Sequence, residues 1–407
     1  MPDPRAPLFS TRSHRLLAAL LLLAAGAGAA LFISARRAPQ RWPDAPTAQN
    51  AMGDTTCLSC HTDKASYEGT AHRLTTRHPS RATIDGSFRS GENVLRTPNP
   101  ALHFRMDADS SGFYETAVYG TPPDTTSRTE KIAYVAGSGR KGQSFLYWKK
   151  DQLYQMPVSY WKTLGKWINS PGPAYHDGVA NFDRAVAPRC FECHATWIEP
   201  LPDPSAVNRF NPKGAILGVT CERCHGAGNE HVANERSLLH AVSRVAIVNP
   251  SRLSRQRKIE ACAQCHGGIG NPITPSFTYV TGQPLEKYLY LRPATNGEQV
   301  DVHGNQVALL ARSRCFQASQ MTCMTCHDVH RVQRDVKELS GRCLTCHQEQ
   351  RHKPLPAQTQ PLAGRCVDCH MPLQSSNLIV SALEGEKERA LVRSHWIKVY
   401  PDSAVKQ

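Results

Sequence analysis

The chain has 407 residues, among them 15 cysteines, with 40% hydrophobic and 7% aromatic residues and a formal charge of +14. That length excludes a small disulfide-stapled secreted domain, and the modest apolar content suggests that something besides side chains fills part of the core. Lys and Arg are scattered, with no basic run of five or more, which argues against a nucleic-acid-binding face.

At the amino terminus, Arg5, Arg12 and Arg15 precede an uncharged run from Leu16 to Ser34, and Arg36, Arg37 and Arg41 follow it. The run is long enough to span a bilayer as a helix and longer than the apolar part of a typical export signal. The expectation is an uncleaved signal-anchor over residues 1–37; cleavage near the small residues Ala25 to Ala30 is the alternative. Residues 38–55, with three prolines, read as a linker. A first cofactor segment follows at 56–80. The cysteine-free stretch 81–168 reads as a β-rich insertion: Phe113–Tyr119 and Lys131–Val135 are strand-like, and Gln143–Trp148 and Leu153–Val158 flank a polar turn as a hairpin would. Irregular cover over neighbouring cofactors is the other possibility for this stretch. The remaining divisions are 169–271, a connecting segment 272–312 with a strand-like Ser276–Val280, and 313–407, whose stretch 382–393 has a helical pattern despite Gly385.

Seven Cys-x-x-Cys-His motifs organise everything outside the β-rich stretch. They are Cys57, Cys60 and His61; Cys190, Cys193 and His194; Cys221, Cys224 and His225; Cys262, Cys265 and His266; Cys323, Cys326 and His327; Cys343, Cys346 and His347; and Cys366, Cys369 and His370. Two thiols three residues apart reach the two vinyl groups on one edge of a porphyrin and form thioethers. The adjacent His then lies under the ring and gives its imidazole to iron. Zinc sites built from paired Cys-x-x-Cys units would leave every one of these histidines unexplained, and would leave one pair of seven without a partner. Seven covalently attached haems c are therefore expected. Their propionates bring about one net negative charge per ferric haem and about two per ferrous haem, which cancels half to all of the basic excess.

A six-coordinate iron needs a second axial ligand. Beyond the motifs and His14, the chain has His72, His78, His103, His176, His231, His240, His303, His330, His352 and His395, more than seven irons require, whereas Met is scarce. Supply favours two histidines per iron. Cys315 is the only cysteine outside a motif; a buried free thiol is the simplest role for it, and a sulfur beside a haem is the alternative.

The segment Cys221-Glu-Arg-Cys224-His225-Gly-Ala-Gly-Asn-Glu-His231 resembles the CExCHGPGxxH signature of multihaem cytochromes related to hydroxylamine oxidoreductase and to the tetrahaem cytochrome of nitrification. The resemblance implies that His231 ligates a haem other than its own. It likewise implies a distal role for His72, which looks like a helix-borne ligand of that class, for His330 in a CxxCHxxH form, and for His395 after the closing Cys369-His370-Met-Pro. Ala227 stands where the signature has Pro, and no eighth motif is present.

Together these features predict a mainly α and irregular multihaem cytochrome c fold with a small antiparallel β insertion and an N-terminal transmembrane helix. The expected function is electron relay on the periplasmic side of the inner membrane, between redox protein partners or from a quinol-linked donor, with membrane attachment through the N-terminal helix and no nucleic acid. The alternative is an oxidoreductase acting on a small nitrogen or sulfur compound at one open-site haem.

Overall fold

The computed structural model describes residues 42–172, 178–237, 247–291, 305–348, 364–383 and 385–400. Strand accounts for 28% and helix for 25% of the described residues, which overturns the mainly α expectation. The helices fall short because nearly all are short, several of them a single turn at an attachment motif: Pro188–Glu192, Cys221–His225, Cys323–Cys326 and Cys366–His370. The longest among the described residues, Arg255–His266, has 12 residues and starts at Ser254, whose hydroxyl accepts the Arg257 amide.

Strands β1 (Thr76–Arg77), β2 (Val94–Arg96), β3 (Leu102–Asp109), β4 (Gly112–Thr121), β5 (Asp124–Lys131), β6 (Tyr134–Ala136), β7 (Gly142–Lys149), β8 (Gln152–Trp161), β9 (Lys166–Asn169) and β10 (Arg184–Ala185) form two antiparallel sheets. One has the order β2-β3-β4-β5; the other runs β1-β6-β7-β8-β10, with β9 also on β8. The β7–β8 hairpin is the one expected from sequence, with Lys149 opposite Gln152. Alternation decides which way each strand faces. On β3, Leu102, Phe104 and Met106 are buried, while His103 and Asp107 are half-buried and Arg105 is exposed. These apolar residues join Phe145, Tyr147, Met156 and Val158 of the other sheet in one core. Burying a side chain such as Phe104 completely is worth about 1.5–3 kcal/mol.

The six-stranded sheet is apolar on both faces, so this part is more than a small insertion. Its second face, with Tyr134, Leu146 and Leu153, packs on Phe191 of the second motif, with Phe210 and Phe277. Ser276–Val280, strand-like in sequence, forms no strand; Phe277 has φ +69 and its ring fills this second cluster.

Three small antiparallel pairs complete the strands: β11 (Ala195–Trp197) with β12 (Ile216–Leu217), β13 (Asn271–Pro272) with β14 (Leu289–Tyr290), and β15 (Leu373–Leu383) with β16 (Glu386–Arg393). The last pair replaces the helix expected over 382–393. Gly385, at φ +91, takes the left-handed backbone of its turn. The hairpin docks on β9: the Asn169 amide group donates to the Ala382 carbonyl at 3.3 Å, and Ala390 packs with Trp161 and Ile168.

Leu16–Ser34, the expected signal-anchor, lies outside the described residues. Among those described, no helix is long and apolar enough to cross a membrane, so no described element carries the transmembrane part of the expectation.

Candidate haem sites

The attachment motifs are held together by buried carboxylates from distant parts of the sequence. Glu222, between the cysteines of the third motif and 1% exposed, accepts the amides of Met52 at 2.9 Å, Gly53 at 3.1 Å and Gly228 at 2.8 Å. It thereby clamps the approach to the first motif onto the third. Asp54, at the start of the first-motif helix, accepts the Cys221 amide at 3.0 Å and the Arg73 guanidinium at 2.5 Å. Gly226, directly after His225, has φ +82, and a Cβ there would meet Pro43 at 2.5 Å. Only glycine allows that approach.

The structure brings four pairs of histidine rings together, and each pair joins a motif His to a histidine outside the motifs. Ring centroids lie 6.3 Å apart for His61 and His231, 6.2 Å for His225 and His330, 6.2 Å for His327 and His395, and 6.0 Å for His72 and His266. The first three pairs are nearly parallel, with interplanar angles of 19°, 30° and 29°; the fourth is closer to perpendicular, at 77°. Two imidazoles bound on opposite sides of one metal, each nitrogen about 2 Å from it, place their centroids about 6 Å apart. Among the described residues no three His, Cys, Asp or Glu side chains converge to hold a metal unaided. Donors in twos, at this spacing, fit an iron whose other four ligands come from a porphyrin.

Each outer histidine reaches its place on a segment anchored elsewhere. His231 rides on the helix Asn229–Arg236 that follows the third motif. His72 lies in the turn after the 3-10 helix Thr62–Gly69, not on a regular α-helix, and its carbonyl accepts the Val219 amide at 3.0 Å. The His330 carbonyl accepts the Ser66 hydroxyl at 3.0 Å, and that of His395 accepts Ser313 at 3.2 Å. Behind two motif histidines stands a backbone carbonyl: Val248 lies 2.7 Å from Nδ1 of His225, and Lys398 lies 2.9 Å from Nδ1 of His370. Such contacts fix ring orientation and leave Nε2 for a metal. Burial pushes the pKa of His266 and of His395 down to about 4, and lowers those of His72, His225, His327 and His330. The neutral ring this favours is the form that binds metal.

His194, His347 and His370 stand apart from these four pairs. His176, His240, His303 and His352 lie outside the described residues. His103 lies on β3 beside Arg96 and Arg105, and the His78 ring is 5.6 Å from that of Tyr134. The fourteen motif cysteines and Cys315 form no disulfide. Thiols of different motifs lie close together: Cys57 and Cys221, Cys193 and Cys265, and Cys262 and Cys323. Cys224 neighbours Cys262 and Cys265, Cys326 neighbours Cys346, and Cys343 neighbours Cys366. Cys315 sits near Cys326 and Cys343.

Residues 171–226, which include the second and third motifs, match the family model described as cytochrome c554 and c-prime. Over 169 residues, 36% of this chain, the sequence is 25% identical to the C-type polyheme cytochrome OmcC of Geobacter sulfurreducens. The chain spans about a fifth of that relative's length, 21%. No solved structure matches. Both similarities support a multihaem c-type cytochrome.

In such a cytochrome the motif residues could attach haem, and the clamping residues decide where each attachment point sits. Sequence reasoning missed these clamps. Besides Asp54 and Glu222, Arg393 of β16 donates to the Val367 carbonyl at 2.6 Å, the Met371 carbonyl at 2.9 Å and the Asp368 carboxylate at 3.0 Å, tying the last hairpin to the seventh motif. The one signal in the sequence was Glu222 itself, the Glu of the signature.

Proposed function

We propose that this cytochrome carries seven covalently attached haems c and relays electrons between redox partners on the periplasmic side of the inner membrane, where haems of this type are attached. The observation that carries the proposal is the set of four imidazole pairs at the spacing of two axial ligands. His61, His194, His225, His266, His327, His347 and His370 are the proximal ligands. His231 completes the first haem, His330 the third, His72 the fourth and His395 the fifth. Bound haem supplies a reversible one-electron iron couple; the chain fixes spacing, ligand and surroundings.

The neighbouring thiols give the relay an order. Attachment points run from the first motif to the third, then the fourth, fifth, sixth and seventh, with the second joined to the fourth. The order of contact thus differs from the order in sequence. The ring pairs agree: His225 lies near His61 and His231 as well as His330, and His266 lies near His327 and His395 as well as His72. This interlocking, with Cys221 to His231, supports placement beside the hydroxylamine oxidoreductase and nitrification class. The donor is a redox protein or a quinol-linked protein.

Intact mass of protein produced with a cytochrome c maturation system should exceed the apoprotein by seven haems. A well-matured sample short by two or more would refute the count.

A further inference from the structure

The second, third and fourth motifs meet around buried charge that haem attachment does not use. Arg189 and Glu192, each 8% exposed, come from the second motif; Arg223, 4% exposed, comes from the third; Gln264, also 4% exposed, comes from the fourth. Arg189 is fully engaged: it donates to the carbonyls of Ile269 at 2.6 Å and Gln264 at 2.7 Å, and to Glu192 Oε2 at 3.2 Å. Glu192 Oε1 accepts the Phe277 amide at 2.6 Å. The one carboxylate of the group is thus committed to Arg189. Arg223 makes a single hydrogen bond, from Nη2 to the Glu192 carbonyl at 3.2 Å, and its Nε and Nη1 are buried without an acceptor. All four residues line one cavity of about 20 Å³, together with Tyr279 and Tyr288.

A guanidinium stays charged at any physiological pH. Two arginines against one glutamate leave these four residues one positive charge in excess, with both guanidiniums largely buried, while Glu260, near Tyr279 of the lining, is committed to Arg257. The cavity holds one water-sized species. A water would accept from the free N–H groups and leave the charge uncompensated, whereas an anion answers both needs.

We propose that this cavity is a buried anion site, in which Nε and Nη1 of Arg223 hold a small monovalent anion and Glu192 keeps Arg189 in place as the second positive wall. Two sources supply the required chemistry: a free halide-sized ion, which the volume suits, or the carboxylate of a haem propionate. Cys193 and Cys265 both lie in the field of Arg189 and Arg223, so the anion offsets positive charge beside attachment points of the second and fourth motifs. The site rests on the chain's own buried charges and is independent of the relay and of the haem count.

The test is crystallographic, on the haem-loaded wild-type protein soaked in bromide. An anomalous peak within hydrogen-bonding range of Arg223 Nε and Nη1 is the expected result and identifies a free ion. A propionate carboxylate found at those atoms also supports the site and identifies the cofactor as the source. A water or bare cavity at saturating bromide, with neither peak nor carboxylate, overturns the proposal. In a folded Arg223→Gln variant with an unchanged haem count, the peak should disappear; a peak retained at full occupancy overturns the role of Arg223.

Discussion

Four histidines outside the motifs carry the ligand assignments, and each faces a motif other than the one it follows. His231 is the clearest case, because it lies on a helix, 6.3 Å from the ring of His61. His231→Ala should turn one low-spin haem high-spin, with the number of attached haems unchanged; an electron paramagnetic resonance spectrum matching the parent would remove His231 from the ligand set. A different residue controls pH behaviour in the β unit. Glu115 is fully buried in β4, where Oε1 accepts the Val158 amide at 2.9 Å and Oε2 has no partner. Burial pushes its carboxyl well above the ordinary 4.5, so the folded protein holds the proton that the unfolded chain releases. The stabilisation from that proton is complete below the ordinary carboxyl range and is lost as pH rises towards the raised value. Glu115→Gln should therefore gain on the parent as pH rises through the range above the ordinary carboxyl value, by up to about 1.4 kcal/mol per pH unit. Parallel melting curves for the two proteins across that range would show that Glu115 is not protonated in the fold.

Local chemistry and alternating patterns were legible in the sequence; contacts between distant segments were not. Cys-x-x-Cys-His is readable because both thioethers and the proximal ligand lie within five residues, and the β7–β8 hairpin is readable because its apolar residues and polar turn fit one period. The β15–β16 hairpin was missed because Glu386–Arg393 mixes charges with Ala390, Leu391 and Val392 in a way a helix also tolerates; what selects strand is burial of Ala390 against Trp161 and Ile168, more than 200 positions earlier. The clamps by Glu222 and Asp54 were hidden for the same reason, since their partners are 170 and 167 positions away. Gly385 tests the hairpin assignment. Its φ of +91 strains any other residue, and the nearest atom to an added Cβ is Pro98 Cγ at 3.7 Å, so steric conflict adds little. Gly385→Val should cost about 1–2 kcal/mol from backbone strain alone, seen as a lower denaturation midpoint. No change would mean that a helix, as the sequence pattern suggested, is the better description of this stretch.

For the molecule as a whole, the decisive property is whether any iron can accept an outside ligand. A relay needs none, and on the proposed assignments the four ring pairs would supply both protein ligands at four irons. Carbon monoxide added to the reduced protein should leave the Soret band nearly unchanged. A stoichiometric shift at one haem would instead establish an accessible iron and make a reaction with a small nitrogen or sulfur compound the better account. The β unit contributes to this wholeness as a support: the sheet face carrying Tyr134, Leu146 and Leu153 holds the second motif through Phe191, so the attachment point beside the fourth motif is also the one packed on the six-stranded sheet.

The crossed ligand pairs also bear on how such a chain can evolve. A segment that carries one cofactor and lends a histidine to another is not a separable module. On the proposed ligand assignments, deleting the third motif with its helix would remove His231 from the first haem, and deleting the fifth with its following loop would remove His330 from the third. Gain or loss of a single haem is therefore penalised twice, and lineages should change haem number most readily at positions outside the crossed set.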